Sequence, residues 1–174
     1  MPKRHEASYP GFPARHLCQN RTMSKMRKRL LGGEILEVPV GARFGYVQYL
    51  GEHREYGDAV LVNPGLHERQ AHFPARFFSS GYVAFYPASD SVTRKVAEVV
   101  AQSSPPQVPK RFRRPGVTLE SGAVESWVIE GGWRTVNKET LTDEERSLPI
   151  AGIWTQKFLG EQIAKGWTPQ NDGR

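Results

Sequence analysis

The chain holds a single cysteine, Cys18, in 174 residues, so no internal disulfide can form. That usage suits a reducing compartment, and a cytoplasmic location is expected. A cysteine-rich zinc site has no ligands to draw on. No apolar run reaches the eighteen residues of a membrane span, so no membrane association is expected. The early stretch "ASYPGFPARHL" carries two prolines where a secretory signal has an unbroken apolar segment. Phosphate cradles are missing as well. Gly45, Gly51 and Gly57 lack the tight G-x-G-x-x-G spacing, and there is no G-x-x-x-x-G-K-[ST] to hold a nucleoside triphosphate. "FFSSG" lacks the G-x-S-x-G frame, which leaves Ser79 and Ser80 without the setting of a nucleophile.

The net charge of +6 suggests nucleic acid until it is mapped. Residues 1–30 hold eight Lys or Arg against Glu6 alone, leaving 16 basic and 17 acidic residues for the rest. The basic character therefore belongs to a leader over 1–31, expected to be disordered, with Met23 or Met26 as alternative starts. A basic arm of this kind also suits RNA, DNA or an acidic partner.

From Gly33 the apolar period becomes two. The first strand, with Ile35, Glu37 and Pro39 on one face and Leu36, Val38 and Val40 on the other, reads as near an edge, because Pro39 cannot donate to a ladder. Gly41-Ala42 suits a two-residue turn, and Arg43–Leu50 returns with Val47 and Tyr49 on the better core face and Gly45 marking a bulge or a close backbone approach. "GEHREYG" reads as a loop, and "DAVLVNPG" as a third strand stopped at Asn63-Pro64-Gly65. One helical turn is expected over Ala75–Phe78, a strand at "YVAFYP", and a strand over Lys95–Val100. Residues 103–116 read as a proline-rich excursion within one domain spanning 32–170. "ESWVIEGGWRTV" is a second hairpin turning at Gly131-Gly132. Thr142 and Glu145 have capping-box spacing, and Ile150, Ile153, Trp154, Phe158 and Ile163 suit a helix from Ile150. Strands first and helix last predict a mostly β or α+β domain. Its expected form is a strongly bent antiparallel sheet, or a partly open small barrel, with a C-terminal helix.

Glu52, His53, Arg54, Glu55 and Asp58 form the densest ionisable cluster. Histidine and carboxylates are metal-ligand types, yet no second histidine follows at helical spacing, and His67 and His72 are loosely placed. No metal, cofactor or catalytic set is expected. Most aromatics read as core, with Trp133 beside a glycine turn and Tyr56 in the charged loop as the exposed exceptions. Residues of these types anchor interfaces because they bury much area with few rotamers. The cluster reads either as solvated turn residues or as a recognition loop, and the candidate partner surface is His53, Arg54, Glu55, Tyr56 and Asp58 with Trp133.

The segment "GEILEVPVGARFGYVQYLGEHREYGDAVLV", followed by "YVAFYP", resembles the immunity-protein-26 class of bacterial toxin-immunity domains over residues 30–100. "LTDEERSLPIAGIWT" resembles uncharacterised bacterial proteins of the same layout. The resemblance implies a mostly β cytoplasmic protein, without enzymatic activity, that binds and neutralises a cognate protein toxin by occlusion. Two alternatives stay open. One is a nucleic-acid-binding module using the basic leader with "PKRFRR" (Pro109–Arg114). The other is a small hydrolase using two of His53, His67 and His72 with carboxylates.

Overall fold

The period-two run does fold into strands, as the computed structural model of residues 28–174 shows. β1 (Glu34–Val40) and β2 (Arg43–His53) are joined by Gly41-Ala42, with Val40 paired to Arg43 and Gly41 at φ 63°, a left-handed value that glycine takes without a Cβ clash. β3 (Gly57–His67), β4 (Tyr82–Phe85) and β5 (Glu98–Gln102) complete an antiparallel sheet in the order β4-β3-β2-β1-β5. A short helix, α1 (Ala88–Thr93), lies between β4 and β5. β6 (Arg113–Thr118), β7 (Val124–Ile129) and β8 (Arg134–Asn137) make a second antiparallel sheet. α2 (Asp143–Ser147) and α3 (Gln156–Ala164) follow. The fold is thus mostly β with a C-terminal helix, and its two sheets do not close into a barrel.

β2 is buried on both faces from Gly45 to Leu50. Val47 and Tyr49 join Leu36, Val38, Val60 and Val62 beneath α3, where Leu159 and Ile163 complete the main core. This is the face expected from alternation. Gly45 is the close approach: a Cβ there would lie 2.7 Å from Cδ1 of Ile163. On the opposite face, residues 68–80 cover polar groups. The Tyr46 hydroxyl donates to Oε2 of the buried Glu37 at 2.8 Å, while Nη2 of Arg69 donates to Oε1 at 2.7 Å. Phe73 and Phe77 pack edge-on against the Tyr46 ring.

Several expectations need correction. The loop at "GEHREYG" shrinks to Arg54-Glu55-Tyr56, because His53 pairs with Gly57 and Glu52 with Asp58. β3 runs through Asn63-Pro64-Gly65 to His67; an irregularity opposite Gly45 absorbs the proline, and pairing resumes at Phe44 and His67. Pro39 lies beyond the stretch of β1 that β5 pairs, Glu34–Glu37, so its edge character is local. Lys95, at φ 60°, ends the turn after α1, and the strand begins only at Glu98. The excursion ends at Phe112, since Arg113–Thr118 is β6, with Pro115 next to an irregularity of that strand's pairing. Residues 75–80 form successive turns, with Phe77 N donating to Pro74 O, Ser79 N to Arg76 O and Gly81 N to Phe78 O. Thr142 and Glu145 form the expected capping box.

The largest correction concerns residues 149–154, which are extended where a helix was expected. Arg113 N donates to Pro149 O at 2.9 Å, Ala151 N to Arg113 O at 2.8 Å, and Trp154 N to Phe85 O at 2.7 Å. This segment joins the edge of β6 to the edge of β4 and so ties the two sheets together. The apolar spacing of Ile150, Ile153 and Trp154 serves that connection: Ile150 and Trp154 are buried and Ile153 is exposed. The helix starts one residue after Thr155, whose Oγ1 accepts from Phe158 N.

Candidate functional site: two hairpin tips

The β2–β3 tip does not stand free in solvent. His53 and Tyr56 stack with ring centroids 5.2 Å apart and planes 13° from parallel. Both pack against Phe85 of β4 and Phe112, the residue before β6. Phe85 and Phe112, with Leu50 and Ala59, form a third apolar cluster at the junction of the sheets, and Tyr56 packs against it. Tyr56 donates its hydroxyl hydrogen to Oε1 of Glu130 at 2.6 Å, and Nε of Arg114 lies 3.3 Å from the same carboxylate oxygen. Burial, then the hydrogen bond and charge of Glu130, push the Tyr56 phenol up to about 12, so it stays a donor at neutral pH.

Glu130 opens the β7–β8 loop, which has four residues, Glu130–Trp133, where two were expected. Gly131 has φ 94°, and Trp133 itself has φ 49°. Trp133 is 68% exposed, and the Arg114 guanidinium carbon lies 5.9 Å from its ring centre. A run of contacts therefore leads from His53 through Tyr56, Glu130 and Arg114 to Trp133, joining the two separate sequence segments that the partner-surface reading selected.

The six residues take different parts in this arrangement. Arg54 and Glu55 are exposed at the turn, and Trp133 is exposed at the far end of the contact chain, next to Arg114. His53 and Tyr56 are half-buried supports, so Tyr56 is not the exposed aromatic expected from its loop. Asp58 turns to α1, where Oδ2 accepts from Ser89 N at 2.8 Å. Arg114, and the buried Glu130, Phe85 and Phe112 that support these tips, were not among the residues expected from the sequence. The only local signal was Arg114, which the sequence presents as one charge among several in "PKRFRR".

That basic run is largely consumed within the fold. Arg111 pairs with Glu144 at 2.8 Å and Arg114 with Glu130. Arg113 is buried, donates to Pro169 O at 2.7 Å and stacks 4.2 Å over the Trp127 ring; burial pulls its guanidinium down to about 10. The leader's charges from Lys3 to Arg27, and Cys18, lie outside the described residues. The histidines do not converge. His53 belongs to the junction cluster and His67 packs on Tyr46 and Phe77, while His72 is exposed. Among the described residues no group of three or more His, Cys, Asp or Glu could hold a metal ion, and no helix is long and apolar enough to cross a membrane.

Comparison with known proteins found no matching family model, no matching curated protein and no matching solved structure.

Proposed function

We propose that this chain is a non-enzymatic protein-binding domain whose contact surface is the pair of hairpin tips carrying Arg54, Glu55 and Trp133. Its partner is a cognate bacterial toxin, which it neutralises by covering the toxin's working surface. Trp133 carries the reading. A bulky residue at φ 49° is held in a region that non-glycine residues avoid, at a cost on the order of 1–3 kcal/mol for such outliers. The residue is 68% exposed, so burial within the chain does not offset that strain. A rigid aromatic on a buttressed tip is suited to fill a pocket in another protein. Arg54 and Glu55 supply charges of both signs, which speed encounter and select register.

The toxin as partner rests on the resemblance of residues 30–100 to toxin-immunity domains. Occlusion asks only for a fitted surface, which agrees with His53 and His67 held in separate aromatic clusters. A photo-crosslinking residue placed at position 133 in native cells, with nuclease treatment before capture, tests the reading. The expected adduct is a protein whose expression alone arrests growth, with the arrest relieved by the wild-type chain and not by Trp133→Ala. An adduct with RNA or DNA, or the absence of any adduct, contradicts it.

A further inference from the structure

An open cleft of about 520 Å³ lies beside the β2–β3 hairpin and collects opposite charges on its walls. Glu52 and Asp58 line it as directly opposed residues of β2 and β3. Like charges in that position repel and call for a cation between them. Lys28 and Arg29, successive residues ahead of β1, line the same cleft. No ion pair among the described residues includes any of these four side chains. Two carboxylates and two cations thus border one space with no direct ion pair among them, while Asp58 Oδ2 accepts from Ser89 N on the same wall. Tyr49 lines it too; burial, then Asp58 and Glu52, raise its phenol above the ordinary value and keep it a neutral donor.

We infer that this cleft binds a small zwitterion of dipeptide size, its ammonium held by Glu52 and Asp58 and its carboxylate by Lys28 and Arg29. A ligand with one charge satisfies one wall and leaves the other as it was, so the pairing of both charges sets the selectivity. The site is separate from the Trp133 surface, and neither proposal depends on the other.

Alanyl-alanine is the probe, titrated to about 20 mM into the isotopically labelled full chain, a range that reports binding of only a few kcal/mol. Saturable amide shifts are expected at Gly32 and Gly51, which also line the cleft. The N-acetylated dipeptide and the dipeptide amide each lack one charge and should bind about tenfold more weakly, a loss of about 1.4 kcal/mol. Glu52→Gln should weaken alanyl-alanine while leaving the N-acetylated form unchanged; Arg29→Ala should weaken alanyl-alanine while leaving the amide unchanged. Both substitutions are at exposed positions, and the amide spectrum itself reports whether the fold persists. No saturable shift at Gly32 and Gly51, or equal affinity for charged and blocked forms, overturns the inference.

Discussion

The Tyr56 hydroxyl meets the buried Glu130 carboxylate at 2.6 Å across 74 residues of sequence. It fastens the tip of the first hairpin to the tip of the second. Tyr56→Phe removes the donor and leaves Glu130 with Arg114, whose side chain is half exposed. The expected loss is about 1.5–2 kcal/mol, the scale of a hydrogen bond to a charged group. Urea unfolding followed by Trp fluorescence checks it, with the midpoint falling and the slope unchanged.

The same contact sets an alkaline limit. The Tyr56 phenol is raised from 10.0 to about 12 in the folded state. Its contribution to stability is therefore complete below pH 10 and is lost as pH rises through about 12. Comparing wild type with Tyr56→Phe across that window isolates the term from the other raised tyrosines, and the difference between the two proteins should shrink as pH climbs.

Much of this arrangement was legible locally. The Gly41-Ala42 turn, the Val47/Tyr49 core face and the Thr142/Glu145 capping box each depend on residues within a few positions, and each formed. Asn63-Pro64-Gly65 carries an equally clear stop signal, yet β3 runs through it because pairing with Phe44 resumes at His67 and Arg43 donates to the Leu66 carbonyl. The spacing of Ile150, Ile153 and Trp154 fits a helix face or an extended connector, and only the open edges of β4 and β6 decide between them. The site was half legible. Its exposed members stand out as charges and an aromatic beside glycines, whereas the links through Phe112, Arg114 and Glu130 exist only once the two sheets dock.

Gly45→Ala tests the contact between β2 and α3. Its Cβ would meet Ile163 Cδ1 at 2.7 Å, and Ile163 is fully buried, so it has no open space to swing into. Overpacking of this kind costs about 1–3 kcal/mol. Ile163→Val deletes Cδ1, so the double variant should lose less than the sum of the single losses, with a coupling of about 0.5 kcal/mol or more. Strict additivity in thermal unfolding would place the strain elsewhere.

His67 gives an acid-side test. Burial, then the charge of Arg43, lowers its pKa from 6.5, and its Nε2 is buried without a hydrogen-bond partner. The unfolded chain takes up the proton first, so stability should fall as pH drops from 6.5 toward the lower folded value and level off beneath it. His67→Phe keeps an aromatic ring in the cluster and should flatten that slope; an unchanged slope assigns it to other groups.

Arg69 holds residues 68–80 to the sheet through Glu37 at 2.7 Å. Because its own side chain is largely exposed, Arg69→Ala should cost only about 0.5–1.5 kcal/mol globally. The local effect should be larger, read as faster tryptic cleavage after Arg76 and faster amide exchange over residues 68–80.

The central claim is that Trp133 is kept strained and exposed in order to bind. Glycine takes φ 49° without a clash, so Trp133→Gly should leave unfolding stability within about 0.5 kcal/mol of wild type, strain relief offsetting the added freedom of the unfolded chain. The decisive measurement is the calorimetric affinity of wild type and Trp133→Gly for the protein crosslinked at position 133. The account predicts a loss of at least about 2 kcal/mol, roughly thirtyfold in Kd, on removing the anchor. Equal affinities with equal stabilities would contradict it.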